Sequence, residues 1–140
     1  MKNKEGANLM LARAKAILEE AINMRTKGLW NLAVRRSQEA VELALKSALV
    51  WVGIQPPRVH DVGPALRENA GMFPKEFAQY IPKLASISRT LRAERELSMY
   101  GDEESGVQPE ALYSDEDAQN AIEKAKFVLE QCEKLLVGDR

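Results

Sequence analysis

The residue types best suited to chemistry in this sequence are three arginines that recur at three-residue steps, Arg89, Arg92 and Arg95. On a helix, residues three apart are neighbours, so the three guanidinium groups would form a basic arc. Guanidinium groups favour phosphate because their N–H donors match its oxygens in bidentate geometry. The arc predicts a phosphate-binding surface, which Glu94 and Glu96 would partly neutralise.

Arg95 is the most informative of the three because it falls on an apolar stripe, after Leu84, Ile87 and Leu91. A charge at a core position is costly unless it is paired. Two interpretations stay open at this point. Arg95 is either a structural arginine, bonded to a carboxylate or to carbonyls at a helix end, or an arginine at a cleft or subunit junction that holds a phosphate.

Two further polar side chains are candidates for the same site. Tyr100 follows Arg95 by five residues, at the expected end of its helix. A phenol is a poor general base at neutral pH, but it can donate a hydrogen bond or stack; the structural alternative is a half-buried aromatic that anchors the next loop. His60, the single histidine, precedes a short predicted helix and would cap that helix or bond the adjacent backbone, or join the phosphate site.

Several other chemistries are excluded by residue type. One histidine cannot build a multi-histidine zinc site, and neither a Glu-x-x-His pair of the di-iron kind nor a glycine-rich phosphate loop is present. The single cysteine, Cys132, lies on an apolar stripe near the end of a predicted helix and is interpreted as a core residue. No metal and no cofactor is therefore expected.

Composition indicates one domain spanning residues 1–140, with 45% hydrophobic and 29% charged residues. The net charge of -1 excludes a strongly basic polynucleotide binder, although a local basic patch remains compatible with it. The N-terminal residues lack the pattern of a signal peptide, and the longest apolar run, Ala48 to Ile54, is too short to span a bilayer. We expect a cytoplasmic protein without a membrane segment.

The elements that must position these residues are helices. Alternating strand patterns are scarce, whereas alanine, leucine, glutamate, lysine and arginine dominate. We predict an all-α, up-and-down bundle of four long helices plus short connecting helices. The long helices are expected over Asn8–Thr26, Leu29–Val52, Pro82–Met99 and Ser114–Gly138, and short helices are expected near His60 and at Phe73-Pro74.

Particular residues set these boundaries. Ser114 is expected to cap the last helix together with Asp117. The acidic segment from Gly101 to Tyr113 is expected to be a mobile loop. The second helix carries a stripe of small residues that allows close approach of a neighbour. Its opposite face offers the pairs Arg35–Glu39 and Glu42–Lys46.

Taken together, three stretches resemble the HEPN family, a domain found in higher eukaryotes and prokaryotes and named for nucleotide binding. Residues 30–49 look like the signature second helix of the family. Val59-His60-Asp61-Val62 looks like its His-Ser/Asp turn. The stretch from Arg95 to Gly101 is similar to the Arg-x4-Tyr ending of the penultimate long helix in many members. The resemblance covers roughly Leu9 to Leu136.

The resemblance implies a helical bundle that forms a homodimer. Many members are partners of small nucleotidyltransferases in toxin–antitoxin pairs. The active branch cleaves RNA without metal, through an Arg-x4–6-His motif assembled at the dimer interface. Here Arg95 stands at the arginine position and Tyr100 at the histidine position, where general acid–base chemistry needs a group that titrates near neutrality.

Three functions follow as hypotheses. The first is a binding module for a nucleotide, RNA or a nucleotidyltransferase, without nuclease activity, in which Arg95 and Tyr100 line the cleft and Arg92 and Arg89 assist. The second is a metal-independent ribonuclease with an atypical site that recruits His60. The third is a structural dimeric scaffold in which Arg95 only locks the dimer.

Overall fold

The computed structural model describes residues 3–138, and its elements are helices. Their bounds are α1 Lys4–Thr26, α2 Trp30–Trp51, α3 Gly63–Glu68, α4 Lys75–Ala78, α5 Ile81–Ala93, α6 Leu97–Tyr100, α7 Pro109–Leu112 and α8 Asp115–Gly138. A 3₁₀ turn, Ala70–Met72, lies between α3 and α4. The predicted all-α bundle is confirmed. None of the helices within residues 3–138 is long and apolar enough to cross a membrane.

The central element is α2, which packs against both α1 and α8. Its predicted stripe of small residues is fully buried. The hydroxyls of two serines on that stripe donate to backbone carbonyls of the same helix. Ser37 donates to the Ala33 carbonyl at 2.8 Å and Ser47 to the Ala44 carbonyl at 2.6 Å. Small side chains with satisfied hydroxyls let neighbouring helices approach the α2 backbone closely.

The ends of the long helices follow local capping chemistry. The capping box of α8 is confirmed, because the Ser114 hydroxyl accepts from the Asp117 amide and the Asp117 carboxylate accepts from the Ser114 amide. The predicted start of α1 at Asn8 was too late. Asn3 caps that helix by accepting the Gly6 amide at 2.9 Å, which adds a turn at the N-terminus.

The prediction of one continuous third long helix over Pro82–Met99 is wrong. It ends at Ala93, and a turn at residues 94–96 separates α5 from the short α6. The Arg95 carbonyl is taken by the guanidinium of Arg35 on α2 and by the Ser98 hydroxyl, instead of by an amide one turn later. One side chain from α2 and one from α6 therefore take the place of the backbone hydrogen bond at this carbonyl.

The acidic segment after α6, predicted as a mobile loop, contains a bridged turn and the short helix α7. Asp102 and Val107 form an antiparallel bridge, in which the Asp102 amide donates to the Val107 carbonyl at 2.9 Å. The Asp102 carboxylate accepts from the amides of Glu104 and Ser105. The α7 helix follows and brings the chain to Tyr113. This segment packs against the C-terminal end of α6, where Val107 and Pro109 lie beside Gly101.

Candidate functional site

The candidate site is built on one polar face of α2, formed by Asn31, Arg35, Gln38 and Glu42. Steps of four, three and four residues place these side chains along one side of a helix. That side faces the α5–α6 junction. The Asn31 amide donates to the Ser98 carbonyl at 3.1 Å, and the Arg35 guanidinium donates to a second carbonyl of the same turn.

Arg95 lies at this junction, half-buried, rather than on a continuous core stripe. Its Nη1 donates to the Oε1 of Gln38 at 2.9 Å. Within residues 3–138 no carboxylate lies within ion-pair distance of the Arg95 guanidinium, whereas Arg92 has one such partner and Arg36 has two. Arg95 is thus held in place by a neutral amide that leaves its positive charge uncompensated by direct contact.

Gln38 connects Arg95 to further hydrogen bonds along α2. It is only 2% exposed, and its Nε2 donates to Oε1 of Glu42 at 3.0 Å. The other oxygen of Glu42 accepts from Lys46 at 2.9 Å, as predicted for that pair. Both ends of the buried amide are used, so its orientation is fixed by Arg95 on one side and Glu42 on the other.

The Glu42 carboxylate stays ionised in this setting. Burial acts to raise its pKa, but hydrogen bonds from Lys46, Gln38 and His60, with the charge of Lys46, hold the pKa below its ordinary value. The Nδ1 of His60 lies 2.9 Å from Oε1 of Glu42. Because an ionised carboxylate can only accept, Nδ1 carries the proton in this contact. The chain therefore connects Arg95 to His60 through Gln38 and Glu42.

His60 does not cap the next helix, as one sequence interpretation proposed. Val62 is the N-cap residue of α3, and the Asp61 carboxylate before it accepts the first amide of the helix, that of Gly63, at 3.0 Å and the Ser88 hydroxyl at 2.9 Å. Ser88 in turn accepts the Val62 amide. This arrangement ties the turn to α5 and leaves the His60 imidazole pointing to Glu42, with its side chain 42% exposed and Nε2 free of protein contacts among the described residues.

The other predicted residues lie in separate surroundings. Arg92 pairs with Glu96 at 3.0 Å, and Arg89 is exposed. The structure does not gather the three arginines into one hydrogen-bonded cluster. Tyr100 is 64% exposed on α6 and is not a half-buried anchor.

The aromatic anchor is Tyr113. Its hydroxyl donates to the Glu94 carboxylate at 2.6 Å. Burial and that hydrogen bond raise the pKa of the Tyr113 phenol, so it stays a neutral donor. Glu94 is therefore engaged by the tyrosine rather than by the neighbouring arginines, and it does not neutralise Arg95 by contact.

Sequence reasoning missed Gln38 and the role of Arg35 at the junction. The spacing from Asn31 to Glu42 was a usable signal, because Asn31, Arg35, Gln38 and Glu42 recur at helical steps beside the buried stripe of α2, where they can meet polar groups of a neighbouring element. Within the described part of the chain, no group of three or more potential metal ligands is assembled.

Comparison with known proteins adds two findings. The family model described as HEPN domain matches residues 7–135. The chain is also similar to the crystal structure of an archaeal HEPN homologue, with a TM-score of 0.67 and 24% identity, over 97% of this chain and 99% of that one. No curated protein matches the sequence. At 24% identity the structural match shows that the two proteins share a fold.

Proposed function

The chain belongs to the HEPN domain family, and from this premise we propose that it is a binding module for a phosphate-bearing ligand, a nucleotide or RNA, with Arg95 on the phosphate. The observation that supports this most directly is the partner of Arg95. A guanidinium oriented by a neutral amide has no counter-charge in contact and keeps several N–H donors for an anion, whereas a guanidinium bonded to a carboxylate is already compensated and has fewer free donors.

Neighbouring side chains extend the proposed site. Arg92 and Arg89 add positive charge along α5, and the exposed Tyr100 ring offers a face on which a base can stack. His60 stands at the other end of the hydrogen-bond chain from Arg95. We further propose that the module acts in the cytoplasm as a homodimer or beside a small nucleotidyltransferase, as in a toxin–antitoxin pair.

The test is binding of ATP and of a short single-stranded RNA, measured by fluorescence anisotropy with the full chain. Arg95→Ala should weaken binding by about tenfold or more, the value of a lost charged hydrogen-bond pair. Arg13→Ala is the matched control, because Arg13 is an exposed arginine on α1 outside the site. Equal weakening by both variants would mean that binding is diffuse and that Arg95 has no special role.

The same variants separate binding from a scaffold function. Size-exclusion chromatography with light scattering gives the oligomeric state of each protein. If Arg95→Ala abolishes a dimer and neither ATP nor RNA binds the unchanged protein, the structural scaffold replaces the binding module. If Arg95→Ala keeps the oligomeric state and loses the ligand, the binding role stands.

A metal-independent ribonuclease is the second candidate, and the His60–Glu42 contact favours it. An imidazole oriented through Nδ1 by an ionised carboxylate leaves Nε2 for proton transfer, which is the arrangement a general acid or base needs. Incubation of RNA with the protein in EDTA tests this function. Cleavage that disappears in His60→Ala and in Arg95→Ala would support it, and intact RNA across neutral pH would reject it.

A further inference from the structure

Arg35 is a second arginine at the α5–α6 junction, beside Arg95. Its Nη1 donates to the backbone carbonyl of Arg95, while the Arg95 guanidinium donates to Gln38, three residues further along α2. Two arginine side chains therefore meet at the same turn of α2. Both are only partly exposed, 14% for the side chain of Arg35, so solvent screens their charges less than it would at an open surface.

The charge of Arg35 is only partly compensated by carboxylates. Among residues 3–138, the carboxylate within ion-pair distance of it is that of Glu39, whose Oε2 lies 3.8 Å from Nε of Arg35, beyond hydrogen-bond distance. The other oxygen of Glu39 accepts from Arg36 at 2.8 Å. Nε of Arg35 is accordingly buried without a hydrogen-bond partner in the described part of the chain. A carboxylate that is shared in this way leaves Arg35 without the strong, hydrogen-bonded ion pair that a buried arginine usually makes.

The carboxylates on the α5 and α6 side of the junction have other partners. Glu96 is exposed and pairs with Arg92 at 3.0 Å, and Glu94 accepts the Tyr113 hydroxyl at 2.6 Å. Neither lies within ion-pair distance of the two junction arginines in the structure of residues 3–138. The junction thus presents two guanidinium groups, and neither is hydrogen-bonded to a carboxylate. A ligand with two negative charges and several oxygens complements such a pair better than a ligand with one charge.

We propose that the phosphate site selects a terminal phosphate, a phosphomonoester, and that Arg35 supplies the second positive charge that this group requires. The inference rests on the proposed function, because it concerns the choice of ligand at the same site. A phosphodiester carries one charge, whereas a phosphomonoester carries close to two charges on three unesterified oxygens. Arg95 alone compensates the first, and Arg95 with Arg35 compensates the second. The terminal phosphate belongs to a free nucleotide or to the end of an RNA strand.

The experiment compares AMP with its phosphate methyl ester, which keeps the nucleoside and removes one negative charge. Isothermal titration calorimetry with the full chain, at constant ionic strength and about pH 8, keeps AMP doubly charged, because the second pKa of a phosphomonoester is about 6. The unchanged protein should bind AMP about tenfold more tightly than the ester, the scale of one further interaction with a charged group. A short RNA with a 5′-phosphate, measured against the same RNA with a 5′-hydroxyl, shows whether an RNA end gains the same preference or only the free nucleotide does.

Two variants of Arg35 separate its charge from its hydrogen bond to the Arg95 carbonyl. Arg35→Gln keeps an N–H donor and loses the charge, so it should bring the affinities for AMP and the ester close together without weakening the ester. Arg35→Lys keeps the charge and should retain most of the preference for AMP. Arg13→Gln, at an exposed position on α1, is the matched control and should leave the preference unchanged. If Arg35→Gln does not fold, Glu39→Gln takes its place: it removes the carboxylate nearest to Arg35 and should increase the preference for AMP.

Two results would overturn the proposal. One is equal affinity of the unchanged protein for AMP and for the methyl ester. The other is a preference for AMP that stays the same in Arg35→Gln. If Arg95→Ala still weakens both ligands in either case, the phosphate site stands and only its selection of a terminal phosphate fails. If neither ligand binds the unchanged protein, the proposed function fails and this inference fails with it.

Discussion

At the scale of single residues, the chemistry of the α2 face depends on which partners carry charge. Gln38 is neutral and lies between the positive Arg95 and the negative Glu42. A carboxylate in its place would neutralise Arg95 and repel Glu42. An aliphatic side chain would remove the Gln38 hydrogen bond from Arg95 and would leave Glu42 with only Lys46 and His60. A buried amide is the residue type that orients both charges and neutralises neither.

Glu42 provides the pH-dependent prediction at this scale. Its pKa is lower in the folded protein than in the unfolded chain, so the ionised carboxylate stabilises the fold above the ordinary glutamate value of 4.5. That contribution is lost as the pH falls through the lower, folded-state pKa. Glu42→Gln should lower the free energy of unfolding at neutral pH by about 1 kcal/mol, the small end for charged hydrogen bonds at a partly exposed site.

Urea unfolding at a series of pH values measures this effect. The difference between Glu42→Gln and the unchanged protein should shrink as the pH drops below 4.5. Glu103→Gln, which removes one carboxylate from the exposed turn after α6, is the control and should lie close to the unchanged protein. A constant difference at every pH would show that the ionisation of Glu42 does not contribute to stability.

The sequence could identify Arg95 but not its environment. A charged residue in an apolar series can be recognised from the sequence alone, and the pair Glu42–Lys46 follows from helical spacing. The contacts from Arg95 to Gln38 and from His60 to Glu42 join residues 57 and 18 positions apart. The first contact depends on how α2 lies against the α5–α6 junction and the second on how the connection after α2 folds back onto it, and local spacing specifies neither.

At the scale of elements, the end of α6 and the turn that follows it are set by a glycine. Gly101 ends α6 with φ 76° and ψ -168°, a backbone conformation that is essentially restricted to glycine. A Cβ atom there would also collide with the carbonyl oxygen of Val107 across the bridge. Gly101 is therefore required both for the helix end and for the closure of the following turn.

Gly101→Ala should destabilise the protein by about 1–3 kcal/mol, the usual range for a strained backbone position. Gly106→Ala is the matched control in the same turn: its φ is 74°, but a Cβ there meets no atom within 4 Å. Thermal unfolding of the two variants separates collision from conformational strain. If both lose the same stability, the close approach of Val107 to Gly101 contributes nothing.

Local sequence signals explain why the helix positions could be predicted and why one predicted helix was too long. Apolar spacing and caps such as Ser114 act within a turn, so they are visible in sequence. The residues from Pro82 to Met99 keep helical spacing throughout, with Leu84, Leu91 and Ser98 buried as predicted. After Ala93 the amides of Glu94 and Arg95 bond carbonyls three residues back, and the Arg95 carbonyl is bonded by Ser98 and by Arg35, which lies on a different helix.

At the scale of the whole molecule, stability depends on the packing of α2 against α1 and α8. Cys132 of α8 is completely buried, and its thiol donates to the Ala44 carbonyl of α2 at 3.4 Å. The predicted core cysteine is confirmed. Burial raises the pKa of the Cys132 thiol, which removes the reactive thiolate at neutral pH. The thiol becomes accessible only when α8 separates from α2.

Cys132 is therefore a reporter of opening of the whole bundle. In native buffer at neutral pH it should not react with a thiol reagent such as Ellman's reagent over hours. In increasing urea its labelling rate should rise in parallel with the unfolded fraction measured by circular dichroism. Gly101→Ala, which lowers stability without contacting α8, should shift both curves together to lower urea. Fast labelling before the circular dichroism transition would instead mean that α8 detaches on its own, and that the helices of this bundle do not unfold as one unit.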